Sequence, residues 1–252
     1  MKRAGAQNDL GYVTLLGAAL FAVSIGLAGA QGVPDYAAII AAPDRTAADR
    51  DADKRRDPLP FLKFSGLRQN MKVLDMGAGG GYSTELLARV VAPNGTAYGQ
   101  NAPDLGERPR GIFEARTKTQ GGKNIVALFR PYDDPLPADV REIDAITFLF
   151  YYHDTTYMPV DRAKMNQKLF AALKPGAALI IADHSAKPGD GATVGKTLHR
   201  IEEATVRQEV EAAGFKLSAS GDFWRAPDDT RDFSTNRPPK PVDNFVLKFT
   251  KP

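Results

Sequence analysis

The chain has 252 residues, 43% hydrophobic and 25% charged, a balance that fits a globular domain with a full core and excludes a disordered or fibrous chain. Its formal net charge of +3 is spread along the sequence and forms no basic stripe, so nothing points to nucleic acid. With no cysteine, disulfides, thiolate metal sites, cysteine nucleophiles and a bacterial lipoprotein anchor are excluded.

At the start of the chain Lys2 and Arg3 precede an uncharged stretch, residues 10–30, that ends in Ala28-Gly29-Ala30, a small-x-small cleavage pattern. This predicts a secretory signal peptide over 1–30, cut after Ala30, and a periplasmic or secreted mature protein. An uncleaved membrane anchor is the alternative, because the stretch is about long enough to cross a bilayer. Its Gly and Ala content, and the lack of a strongly basic flank after it, favour cleavage. No later segment reads as a span, so no stable membrane span is expected after cleavage.

Residues 31–58 read as an N-terminal leader segment, with a short amphipathic helix at "YAAIIAAPDR" followed by the charge run "DRDADKRRDPLP", expected to be a solvated face that docks onto the domain. From there the chain, 59–252, reads as one domain. Runs rich in strand-forming residues fall at 71–76, 95–100, 124–129, 143–150 and 178–183, alternating with helical stretches at "STELLARVV", "DLGERPRGIFEART", "DRAKMNQKLFAAL" and "IEEATVRQEVEAAG". Strand and helix in alternation predict an α/β, Rossmann-like, doubly wound and mostly parallel sheet with helices on both faces. The near-continuous apolar runs "AITFLF" and "ALIIA" suit strands covered on both sides. Two further strands, "FKLSASGDFW" and "NFVLKFT", bring the sheet to seven, and the polar, Pro-rich connection between them reads as a lid or mobile loop.

After the first strand comes "DMGAGGGYSTE", residues 75–85, with Ser83 or Thr84 placed to cap the following helix. Its glycines permit positive φ and close approach of a ligand, and bare amides at a helix start favour an anionic group. Three common glycine motifs do not fit. Tyr82 stands where a dinucleotide fingerprint needs Gly or Ala, no Lys-Ser or Lys-Thr follows as in a phosphate loop, and Glu85 breaks a nucleophile elbow.

The spacing Asp75-x-Gly77-x-Gly79-x-Gly81 resembles motif I of the class I S-adenosylmethionine-dependent methyltransferases. Two further segments stand in register with that family. "LFAALKPGAALIIADH" is similar to its helix, Lys-Pro-Gly turn and fifth strand, and "EVEAAGFKL" to the helix and turn before its sixth. The nearest resemblance is to a group of exported bacterial methyltransferases. It implies the class I methyltransferase fold, S-adenosylmethionine as cofactor and a small-molecule methyl acceptor. It also implies that Asp75, Gly77, Ala78, Gly79, Gly81 and Tyr82 lie along the methionine end of the cofactor. The family's ribose-binding acidic residue at the end of strand two is replaced here by Gln100-Asn101, and Asp133 stands where an acidic residue near the adenine is often found.

Strands four and five end in "FYYHD" and "ADHS", and neighbouring parallel strands deliver their C-terminal residues to one crevice. His153 is the expected general base, Asp154 or Tyr152 would orient the acceptor, and His184 would lie beside them. The same group could ligate a divalent metal, but its spacing matches no recognised metal motif and none is assigned. His199 reads as a helix-start residue or as one leaning into the crevice, and Trp224 as a packing residue. The alternative to an enzyme is an exported binding or interaction protein on a methyltransferase fold.

Overall fold

The computed structural model describes residues 33–252 together with Met1 and Gly5. The predicted signal peptide and its cleavage point therefore lie outside the described residues. Among the described residues, no helix is long and apolar enough to cross a membrane.

Seven strands form one sheet: β1 Lys72–Met76, β2 Thr96–Asn101, β3 Ile125–Phe129, β4 Ile143–Leu149, β5 Leu173–His184, β6 Lys216–Gly221 and β7 Asn244–Thr250. Their order is β3-β2-β1-β4-β5-β7-β6, with β1 to β5 parallel and β7 antiparallel to both β5 and β6. This is the class I methyltransferase fold expected from the sequence. The direction of winding reverses between β1 and β4, so a crevice opens at their C-terminal ends, where ligands bind in such sheets.

Alternate residues of each strand feed opposite layers. Leu74, Met76, Ile146, Phe148 and Ile181 face one core with Met165 and Leu169 of α6 (Arg162–Ala172) and Val206 and Val210 of α8 (Glu203–Ala212). Val73, Ala145, Ile180 and Val246 face the other with Leu87 and Val91 of α4 (Tyr82–Val91) and Phe113 of α5 (Glu107–Arg116). Each fully buried aliphatic side chain here contributes roughly 1.5–3 kcal/mol, which is what makes the two-layer sandwich stable without disulfides.

The leader differs from expectation. It forms two helices, α1 Tyr36–Ile40 and α2 Ala47–Arg56, and a third, α3 Pro58–Ser65, opens the domain. The side chains of Asp35 and Thr46 cap the first two by accepting from backbone N–H groups. The Tyr36 hydroxyl donates to Leu67 O at 2.6 Å. The charge run is solvated on one side, where Asp51, Lys54 and Arg55 are exposed, and docked on the other. Arg45 is almost wholly buried in a bidentate pair with Asp53, and Asp49 makes another with Arg116, which also pairs with Glu85. A buried charge persists only when partnered, and here each is.

Two other local expectations are corrected. Ser83 and Thr84 do not cap α4: its N-cap is Gly81, and both hydroxyls point back under the loop. The connection over 222–243 is not a loose lid. Arg200, fully buried, pairs with Asp229 and donates to Ser185 O, Arg231 pairs with Asp243, and Arg225 pairs with Glu203.

Candidate active site

The loop 77–81 leaves the tip of β1 with positive φ at Gly77, Gly79 and Gly81. A Cβ built on Gly79 would meet no atom within 4 Å, so this position faces open space and forms a cradle. Gly77 is different, because the Tyr151 ring lies against it: an added Cβ would fall 3.0 Å from Tyr151 Cβ. Asp75 lies beneath the loop instead of along its open face. Its carboxylate accepts from the hydroxyls of Ser83, Thr84 and Thr147 at 2.6–2.7 Å, and burial pushes its pKa up against the three donors.

Gln100 and Asn101, at the end of β2, reach back to the same loop. Gln100 Oε1 accepts from Gly77 N and its amide donates to Arg130 O. Asn101 Oδ1 accepts from Gly79 N at 2.7 Å and its amide donates to Gly79 O. The pair thus fixes the shape of the loop, a role the sequence did not announce. Tyr82 turns toward the leader. Its hydroxyl donates to Asp53 at 2.7 Å, its ring lies under Arg56, and burial pushes its pKa well up. Beside it, Trp224 stacks on Phe61 at 5.6 Å, a packing role as expected. Asp133 sits on the surface in an ion pair with Lys164. Tyr132, next to it, is buried and stacks on Tyr151 at 5.5 Å.

The tips of β4 and β5 bring together part of the expected set. Tyr152 is not in the crevice. It is fully buried on the α8 side, where its hydroxyl donates to Glu209 and accepts from Asn166, so it cannot orient an acceptor. His153 does meet Asp154 and Asp183. Its Nδ1 lies 2.7 Å from Asp183 Oδ1 and its Nε2 lies 3.2 Å from Asp154 Oδ1. Burial alone would lower its pKa, but the two carboxylates outweigh burial and raise it to about 10. The two carboxylates thus favour the protonated ring, so His153 would serve as a general base only after giving up that proton. His184 stacks on Phe150, its Nδ1 lies 2.6 Å from Asn244 Oδ1, and burial lowers its pKa.

His199 completes the group. Its Nδ1 lies 3.3 Å from Asp154 Oδ1, and its ring stands edge-on to His153. Burial would raise the pKa of Asp154, but His153, Tyr157 and His199 together hold it below the usual carboxylate range. At the strand tips, Tyr151 thus lies against Gly77 of the glycine cradle, and Asp154 stands between two imidazoles. Tyr151 and Tyr157 were not singled out in the sequence, since two aromatic residues beside "HD" carry no spacing signal.

Comparison with known proteins agrees with this reading of the fold. Residues 59–110 match the family described as protein-L-isoaspartate(D-aspartate) O-methyltransferase. The chain is 27% identical over 124 residues to the ubiquinone/menaquinone biosynthesis C-methyltransferase UbiE of Proteus mirabilis, covering 49% of this chain and 47% of that one. It is 28% identical over 140 residues to UbiE of Idiomarina loihiensis, 56% and 51% of the two chains. The chain thus spans about half the length of the curated relatives it matches. Among solved structures it is similar to a SAM-dependent methyltransferase from Aquifex aeolicus, with TM-score 0.59, 21% identity and coverage of 82% of this chain and 98% of that one. It is also similar to the arsenic (III) S-adenosylmethionine methyltransferase CrArsM from Chlamydomonas reinhardtii, with TM-score 0.57, 14% identity and coverage of 87% and 74%. Topology and likeness together show the fold of the class I S-adenosylmethionine-dependent methyltransferases.

The residues present fit that cofactor. Gly79 offers an open cradle at the switch point. Gln100 and Asn101, buried where the resembled family carries its ribose-binding carboxylate, each accept one backbone N–H of the loop and hold the cradle in shape. Tyr151, half-buried against Gly77 and backed by the Tyr132 ring, gives the loop an aromatic neighbour.

Proposed function

We propose that the protein transfers a methyl group from S-adenosylmethionine to a small-molecule acceptor bound in the crevice between the tips of β1 and β4. The observation that carries this reading is the positive-φ loop 77–81, tied to Gln100 and Asn101 and open above Gly79, at the switch point of a class I sheet.

The cofactor supplies an electrophilic methyl group on a sulfonium. The protein's own residues do the rest. The loop 77–81 would hold the amino-acid end, its shape kept by Gln100 and Asn101 at the tip of β2. Tyr151, backed by Tyr132, would exclude water beside the loop and orient flat groups. Asp154 and His199 would position the acceptor. Orientation in a dry crevice is a large part of what a direct displacement requires, worth up to several kcal/mol of barrier. The names of the UbiE relatives support an activated carbon as the acceptor.

Titration of the purified protein with S-adenosylmethionine by calorimetry tests the reading. Saturable heat, with a rise in melting temperature, is expected. No heat at millimolar cofactor would overturn it and favour a binding protein that uses the fold for another ligand. Export through the predicted signal peptide is part of the proposal and is checked by sequencing the N-terminus of the mature protein, expected to begin at Gln31.

A further inference from the structure

We infer that His153, Asp154 and His199 form a binding site for one divalent first-row transition metal ion. The three side chains each offer one ligand atom, and these atoms all lie within 4.8 Å of one another. His153 Nε2 and His199 Nδ1 stand 3.2 and 3.3 Å from Asp154 Oδ1. Ligands about 2.0–2.1 Å from a tetrahedral metal are separated by about 3.3 Å, so two of the three edges already have the required length. Two imidazoles and one carboxylate are donors suited to zinc, iron(II) or manganese(II).

The surroundings orient these ligands. The far nitrogen of His153 points at Asp183, whose carboxylate also accepts from the backbone N–H of His153 and His184, so the ring is fixed with Nε2 turned toward Asp154. A carboxylate behind a ligating histidine is the usual outer partner at metal sites and raises the ligand's basicity. His199 holds a left-handed conformation, φ +52, costly for a non-glycine residue. Thr235 secures that conformation, donating from its N to Leu198 O and from its hydroxyl to His199 O. Among the described residues the ion pairs of Asp154 are with these two histidines alone, so no Lys or Arg competes for the carboxylate. The His199 side chain is 23% exposed, which leaves the site reachable from solvent. Three protein ligands leave one position of a tetrahedral ion for water or an acceptor oxygen, which the metal would acidify.

The test needs no cofactor and stands apart from the methyl-transfer reading. Untagged protein is used, because the chain has only three histidines and no cysteine. After treatment with a chelator, it is titrated with Zn²⁺ by calorimetry and with Co²⁺ by visible absorbance. One Zn²⁺ per chain and the intense bands of tetrahedral Co²⁺ are expected. His199→Ala, at the most exposed ligand, should weaken Zn²⁺ binding at least tenfold and abolish the Co²⁺ bands while the far-UV circular dichroism is unchanged. Asp183→Asn should weaken binding by roughly 10–100-fold. If the wild-type protein binds neither ion below millimolar concentration, or if His199→Ala binds as tightly as wild type, the proposal fails.

Discussion

Gly195 and Thr156 approach more closely than any side chain on residue 195 would permit. A Cβ on Gly195 would fall 2.1 Å from Thr156 Oγ1 and 2.8 Å from His153 O. This contact docks α7 (Gly195–Leu198) onto the turn over 153–156, and His199 is the residue that follows α7. Gly195→Ala should therefore push α7 away from the turn and separate His199 from Asp154. Overpacking of this kind costs about 1–3 kcal/mol, read as a lower urea midpoint with unchanged m-value.

The segment 222–243 depends on the Arg200–Asp229 pair, in which both side chains are fully buried. Removing one partner leaves the other charged and unpaired, so Asp229→Ala should cost about 3–5 kcal/mol. Because Asp229 also accepts from the backbone N–H of Arg231 and Asp243, the loss should be concentrated in this segment. Limited proteolysis should then cut within 222–243 in the variant and spare it in the wild type.

Tyr152 distinguishes a core role from a site role. In Tyr152→Phe the donor to Glu209 and the acceptor for buried Asn166 are both lost. Leaving the Asn166 amide without that partner should cost about 1–3 kcal/mol in chemical denaturation. S-adenosylmethionine affinity should not change, because the ring does not face the crevice. A loss of affinity without a loss of stability would return Tyr152 to the site.

The sheet was legible because its strands are apolar runs covered on both faces, and a run such as residues 145–150 has few other uses. What escaped the sequence depends on contacts between distant residues. Tyr152 was expected at the tip because nothing in the sequence shows that Phe150 adopts φ +59 just after the strand. The buried side of the leader's charge run was hidden because hydropathy counts charges and not partners, and the partner of Asp49 is Arg116, 67 positions away. His153 and Asp154 were found by the strand-tip rule. His199 joins them only through the docking of α7, for which a lone glycine is no signal.

Stability should fall as pH rises from neutrality in the metal-free protein. His153 has a folded-state pKa of about 10 against 6.5 in the unfolded chain. A raised folded-state pKa gives stability that is complete below about pH 6.5 and is lost as pH climbs through about 10. The size is on the order of a few kcal/mol. Thermal melts from pH 6 to 10 in the presence of a chelator should show the decline, and His153→Gln should flatten it. An equally steep decline in the variant would show that other groups carry it.

Gly79 separates the cradle from the scaffold around it. The space above it is open, so the added atoms of Gly79→Val meet no protein atom at Cβ. The remaining cost is that of φ +55 for a branched residue, about 1–2 kcal/mol, which a protein with two buried core layers should survive. A ligand lying over the loop would meet the valine directly, so S-adenosylmethionine affinity should drop at least tenfold by calorimetry while the melt stays cooperative. Unchanged affinity in a folded Gly79→Val protein would mean that the cofactor does not lie across this loop, and the function proposed from it would have to be abandoned.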